Sequence, residues 1–315
     1  MEKIKLGISS CLLGENVRYD GGHKLDRFLK DTWGKYIEYV SVCPEVECGL
    51  GIPREAMHLE GDLCSPRLIT THTGQDMTRR MMTWAQNRVT QLEKEALCGF
   101  IFKSNSSSCG IARVKIYNEN TMPVKKGMGI FAGIFMVHFP LLPVEDDSRL
   151  HDLNIRENFI ERIFALRRWR DILGKKESKG NLVDFHTRHK LLILAHSPRH
   201  YQKMGKLVAG QENISLPELI RRYQVLLLES LELKTTPQKN TNVLMHIMDY
   251  FKKRLSAGEK KELLEVIGHY QKGYLPLVVP VTLFNRYVRK YDQPYLKEQI
   301  YLNPHPLELQ LRNHV

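Results

Sequence analysis

KIKLGISSC (residues 3–11) reads as an apolar strand that delivers a cysteine at its carboxyl end, and the same arrangement recurs twice further along the chain. YIEYVSV (36–42) leads into Cys43, and LCGFIF (97–102) leads into KSNSSSCG (103–110), which carries Cys109. In open α/β sheets, ligands sit in the crevice beyond the carboxyl ends of the strands, so residues distant in sequence meet there. Three such thiols point to a parallel sheet that gathers Cys11, Cys43 and Cys109 around one metal centre. A cluster held by three cysteines keeps one iron without a protein ligand, which suits catalysis better than electron transfer.

The intervening pattern supports α/β organisation. KLDRFLKDTW (24–33) reads as a short helical segment, and a periodic helix runs from about Asp76 to Leu97, with Met77, Met81, Ala85, Val89, Leu92 and Ala96 on one face. Strands alternating with helices imply right-handed parallel crossovers. FPLLPVEDDSRL (139–150) reads as a boundary with an acidic helix start, dividing a catalytic domain (1–145) from a second domain (146–315). Helical patterns follow at about 148–174, 181–196, 198–209, 216–234, 241–255, 258–272 and 276–290, so the second domain is expected to be an all-α bundle. Ser215 with Glu218 and Ser256 with Glu259 stand at capping-box spacing, and Ser197-Pro198 places proline at a first helical position.

Six cysteines in 315 residues without regular spacing do not describe a disulfide framework, which points to a reducing, cytoplasmic setting. The longest apolar stretch, GIFAGIFMVHFPLLPV (129–144), is short for a membrane span and holds His138 and two prolines, so no transmembrane segment is expected. Charge divides the chain. Residues 1–150 carry 19 Lys and Arg against 18 Asp and Glu, whereas residues 151–315 carry 28 against 17. The net +12 therefore belongs almost wholly to the second half, where it favours a polyanionic partner such as nucleic acid.

Several multi-residue motifs now fall into a recognisable order. SCLLGENVRYDGG (10–22), CPEVECGLGIPRE (43–55) and KSNSSSCG (103–110) resemble the signature segments of a bacterial domain family whose characterised members are thiouracil desulfidases carrying a [4Fe-4S] cluster. RENFIERIF (156–164), DFHTRHKLLILAHS (184–197), NVLMHIMDYFKKRL (242–255), YLPLVVP (274–280) and QIYLNPHPLELQLRN (299–313) resemble the YbgA-like helical domain. The fusion resembles tRNA 4-thiouridine desulfidases, which return the thiolated base to uridine with release of sulfide. The resemblance implies Cys11, Cys43 and Cys109 as cluster ligands, Glu45 as the catalytic acid/base, Ser106 as a second catalytic residue, and tRNA bearing thiolated uridine as partner. The chain departs from the pattern at Ser107, where proline is usual, at Cys48, where glycine is expected, and at Val17, where many members have another cysteine. Two other readings are a desulfidase for free thiouracil whose helical domain serves regulation or assembly, and a non-catalytic RNA-binding protein with a structural metal site.

The remaining polar residues are assigned from local chemistry. Arg18, Tyr19 and Asp20 follow the first cysteine in a glycine-bounded loop and are candidates for positioning a base or ribose, or for building their own turn. Lys103 is a candidate phosphate contact or counter-charge to the thiolates. Cys48, five residues after Cys43, is an alternative fourth ligand, while Cys64 and Cys98 read as plain core. His186, His189, Lys190 and His196 share a helix face that reads as polar or capping rather than metal-binding. Lys252, Lys253 and Arg254 after Tyr250 and Phe251 suit RNA backbone with a stacked base, and equally suit an ordinary helix C-terminus.

Overall fold

The computed structural model describes residues 3–118, 121–174, 178–210, 213–306 and Arg312. The chain forms two compact units, Met1–Ile155 and Arg156–Val315.

In the first unit, β1 (Ile4–Ser9), β2 (Ile37–Val42), β5 (Phe100–Phe102) and β8 (Val144–Asp146) form a wholly parallel sheet in the order β2-β1-β5-β8. Ile4, Leu6 and Ile8 of β1 and all three residues of β5 are buried, as expected for strands covered on both faces. The strands approach closely at Gly7, where a β-carbon would lie 2.1 Å from the Phe100 ring. Between β2 and the next strands lies α1 (Pro44–Glu47). Helix α2 (Thr78–Glu93) buries Met81, Ala85, Val89 and Leu92 on the face anticipated from its periodicity. With α3 (Ile130–His138) it closes a core in which Phe100 stacks on Phe102 at 4.2 Å and meets Phe135 at 4.7 Å.

The sequence reading missed a second sheet. β3 (Met57–Glu60), β4 (Arg67–Thr70), β6 (Val114–Asn118) and β7 (Thr121–Gly127) pair in the order β4-β3-β6-β7, parallel between β3 and β6 and antiparallel outside. The segment read as a helix over 24–33 contains only a wide turn at Phe28–Thr32 and a 3-10 turn at Trp33–Lys35. The acidic run read as a domain boundary is β8. Asp146 accepts hydrogen bonds from the Ser148 hydroxyl and the Arg149 amide, and Glu145 pairs with Arg149 at 2.8 Å, so these carboxylates are buried within the first unit. The first compact unit extends to Ile155.

The following helices are α4 (Leu153–Leu173), α5 (Lys179–His196), α6 (Pro198–Val208), α7 (Leu216–Glu232), α8 (Pro237–Asp249), α9 (Ala257–Gln271), α10 (Val278–Lys290) and α11 (Pro294–Lys297). Caps explain their limits. Ser256 and Glu259 close a reciprocal capping box, and Ser197 accepts from the His200 amide, whereas the Ser215 side chain caps nothing. Trp169 anchors the core of this unit, its ring centre 5.1 Å from those of both Phe185 and Tyr223. Among the described residues, no helix is long and apolar enough to cross a membrane.

Candidate active site

The three strand-end loops of the parallel sheet meet around a cavity of about 190 Å3 lined by Cys11, Cys43 and Cys109. Each loop is shaped by a local device. Cys11 lies in a 3-10 turn over Ser10–Leu13 that closes on Gly14 in the left-handed region. Cys43 precedes α1, whose first residue is Pro44, so that Glu45 falls in the opening turn. Cys109 ends a serine-rich loop whose Ser108 carbonyl accepts the Phe131 amide at 3.0 Å, at the start of α3. Gly129 permits that approach, because a β-carbon there would lie 2.5 Å from the Ser108 backbone.

Burial pushes the Cys11 thiol up to about 11, with Cys43 adding to the rise and Lys103 and Arg18 opposing it. Cys43 and Cys109 are raised by burial as well, and Ser9 partly offsets this at Cys109. Thiolates form here only where positive charge compensates them. Among the described residues, no three His, Cys, Asp or Glu side chains converge where a single metal ion could sit. Three soft thiols spaced around one cavity instead suit a polynuclear cluster, in which each thiolate takes a different iron.

Glu45 is held on both oxygens. Arg54 Nε donates to Oε2 at 2.8 Å, its Nη2 donates to the same oxygen, and the Ser108 hydroxyl donates to Oε1 at 2.8 Å. Arg54 also donates to the Val17 carbonyl at 2.8 Å and the Gly51 carbonyl at 3.1 Å, which ties the 14–22 loop to the carboxylate's support. Neither Arg54 nor Ser108 was singled out from the sequence. Arg54 lies in the motif CPEVECGLGIPRE, but only the fold brings it back to Glu45. Ser106 lines the cavity, where its oxygen accepts the Cys109 amide at 3.1 Å and the Ser108 amide at 3.3 Å and lies 3.0 Å from the Ser108 hydroxyl oxygen. Ser107, standing where proline is usual, donates to the Met57 carbonyl at 3.1 Å and anchors the same loop by other means.

Arg18, Tyr19 and Lys103 also line the cavity. The Lys103 ammonium pairs with Asp147 at 2.9 Å. Burial opposes ionisation of Asp147, but the Ser104 amide and Lys103 outweigh it and hold that carboxyl low. Asp20 instead builds its turn, accepting from the Gly22 amide at 3.0 Å and facing Arg18 at 3.4 Å. Cys48 directs its sulfur to the Glu45 carbonyl at 3.3 Å and does not line the cavity. Cys98 is buried core as expected, whereas Cys64 is exposed, in contrast to the core reading.

In the helical unit His186, His189 and His196 of α5 make internal contacts. His186 Nδ1 meets the Tyr223 hydroxyl at 3.1 Å, His189 Nδ1 donates to the Phe185 carbonyl at 2.8 Å, and His196 lies between the Leu233 carbonyl and Glu161. The basic turn needs a correction, because Phe251 is fully buried against Phe284 and has no face for a base. Lys252 and Lys253 are exposed, Lys252 pairing with Asp249 at 3.0 Å, while Arg254 donates to the Tyr291 carbonyl.

Residues 6–147, which contain every cavity residue named above, match the family model described as 2-thiouracil desulfurase. The first unit belongs to this family. Joined to the desulfurase region, residues 190–306 match the model described as a protein of unknown function, DUF1722. The Escherichia coli (strain K12) protein YbgA, itself uncharacterized, is 32% identical over 153 residues, spanning 48% of this chain and 90% of its own. The uncharacterized Bacillus subtilis (strain 168) protein YbbK is 31% identical over 134 residues, spanning 40% of this chain and 86% of its own. A solved structure of a [4Fe-4S]-dependent thiouracil desulfidase, TudS (DUF523Vcz), is similar at 27% identity and a TM-score of 0.40, over 48% of this chain and 95% of that one.

Proposed function

We propose that the first unit is an iron-sulfur desulfidase that hydrolyses the carbon–sulfur bond of a thiolated uracil ring, and that the second unit holds tRNA so that the substrate is 4-thiouridine. The observation carrying the chemistry is Glu45, fixed by Arg54 and Ser108 in the cavity that the three cysteines share.

Cys11, Cys43 and Cys109 are the residues that would hold a [4Fe-4S] cluster. Such a cluster, with one iron free of protein, supplies a soft Lewis acid for the substrate's sulfur. Lys103 and Arg18 offset the thiolate charge, and Tyr19 at the rim offers a ring face to the pyrimidine. Glu45 accepts a proton from the water that adds to the carbon bearing sulfur, and returns it as the carbon–sulfur bond breaks. Water supplies the oxygen that replaces sulfur, which departs as sulfide, so no external electrons are consumed. Arg54 and Ser108 keep the carboxylate aimed throughout, which spares it reorganisation.

The tRNA reading rests on the 28 basic against 17 acidic residues of 151–315. A second reading, hydrolysis of the free base, is favoured by the 2-thiouracil description of the matched family. Anaerobic incubation of the cluster-loaded enzyme with total tRNA, followed by nucleoside analysis, tests the choice beside a parallel reaction with free thiouracil. Loss of 4-thiouridine with gain of uridine is expected. Turnover of the free base alone would select the second reading, and turnover of neither would overturn the desulfidase assignment.

A further inference from the structure

The turn after α8 presents an aromatic surface for which the fold itself has no use. Tyr250 stacks on Tyr295 of α11, with ring centres 4.9 Å apart and planes 21° from parallel, yet it remains 43% exposed. Tyr295 in turn meets a cation, Lys190 Nζ lying 4.7 Å from the centre of its ring. The turn is fixed on all sides. Phe251 is buried, Arg254 donates to the Tyr291 carbonyl, and the Gln293 side chain donates to the Tyr250 carbonyl at 3.4 Å. A ring held this firmly loses little freedom when a partner stacks on it.

Lys252 and Lys253, which follow the ring in the chain by two and three residues, are exposed, Lys252 pairing with Asp249 at the surface at 3.0 Å. Flat aromatic face plus flexible ammonium groups is the combination that takes a nucleotide, the ring receiving the base and the lysines its phosphates. An apolar peptide would gain nothing from the lysines, and duplex RNA offers no unstacked base.

We propose that Tyr250, backed by Tyr295 and Lys190, is a stacking platform for one unpaired base of an RNA, with Lys252 and Lys253 on the adjoining phosphates. This rests on the tRNA reading above and names the part of the helical unit that would engage it.

The test measures binding of total tRNA to the full-length chain across a salt series. Tyr250→Ala is expected to weaken binding about tenfold, which corresponds to ~1.4 kcal/mol, within the range for losing one base–aromatic stack. Its salt dependence should match the wild type, whereas Tyr250→Phe and Tyr250→Trp should retain binding. Lys252→Ala with Lys253→Ala should instead flatten the slope of log K against log salt by roughly 1 to 2. Hydrolysis of free thiouracil by the cluster-loaded enzyme should be unchanged in every variant. Wild-type tRNA binding that ignores Tyr250→Ala overturns the platform and leaves the tRNA reading standing. No tRNA binding by the wild-type chain overturns both.

Discussion

Replacing Arg54 by methionine removes one partner of an ion pair whose side chains are only 8% and 18% exposed. The Glu45 carboxylate then keeps the Ser108 hydroxyl but loses its counter-charge, and the Val17 and Gly51 carbonyls lose their donor. Breaking a buried pair from one side typically costs ~3–5 kcal/mol, and partial access of water to Glu45 favours the lower end. Two lost hydrogen bonds add roughly 1 kcal/mol each. The total is therefore about 4–5 kcal/mol, which lowers the melting temperature of a unit this size by roughly 10 °C or more. Glu45→Gln keeps the shape but leaves Arg54 without its counter-charge, a loss softened by the Val17 and Gly51 carbonyls that still accept from Arg54, and is expected to cost about 2 kcal/mol. If the two groups act as a pair, the double variant buries no lone charge and should be no less stable than Arg54→Met alone. Calorimetry on the wild type, both single variants and the double variant gives the coupling, expected at about 2 kcal/mol in favour of the pair. Additive losses, agreeing within ~0.5 kcal/mol, would refute the reasoning. Glu45 would then be an ordinary loop carboxylate, and its aim would need another explanation.

Alanine at Cys11, Cys43 or Cys109 should abolish the visible absorbance of anaerobically reconstituted protein, while alanine at Cys48, Cys64 or Cys98 should preserve it; absorbance lost with Cys48→Ala would place a fourth thiolate in the site. Ser108→Ala should lower kcat about tenfold with the cluster retained, the scale of one lost orienting hydrogen bond, whereas Ser106→Ala should chiefly loosen the loop and release the cluster more readily. Normal kcat in Ser108→Ala would show that Glu45 does not need that hydroxyl. Burial holds His186 down to about 4, with Lys190 adding to the effect, and holds His189 down to about 3. Both folded values lie below the unfolded value near 6.5, so their stabilisation is complete above that pH and is lost as pH falls towards 4, by roughly 2 kcal/mol per ring at pH 5. Urea midpoints measured from pH 7 to pH 4 should show this fall, and a flat profile would contradict it.

The legible parts of this protein share a physical origin in local pattern. The strands that deliver the cysteines are continuous apolar runs, and the helices beyond residue 153 carry their periodicity and several of their caps in adjacent residues. β3 and β4, by contrast, are four-residue segments with charged or polar members, and β3 joins β6 only through a parallel pairing, Leu59 with Ile116, between segments far apart in the chain. No window of sequence contains that information. β8 was obscured in a different way, because Glu145 and Asp146 look solvated until Arg149 and Ser148 are seen to satisfy them.

The same distinction explains which parts of the site were readable. Cysteine position follows from strand ends, so the sequence pattern groups the three thiols. The choice between Ser106 and Ser108 is not legible there, because it turns on which hydroxyl the loop spends on its own amides. Ser106 accepts the Cys109 and Ser108 amides, while the Ser108 hydroxyl, 3.0 Å from the Ser106 oxygen, is the one that donates to Glu45. Tyr250 and Phe251 show the converse in the helical unit: adjacent aromatic residues look equivalent in sequence, but the turn sends one into the core and leaves the other stacked at the surface. A motif therefore identifies the chemistry a segment can offer, and the backbone hydrogen bonds of its turn decide which of its side chains offers it.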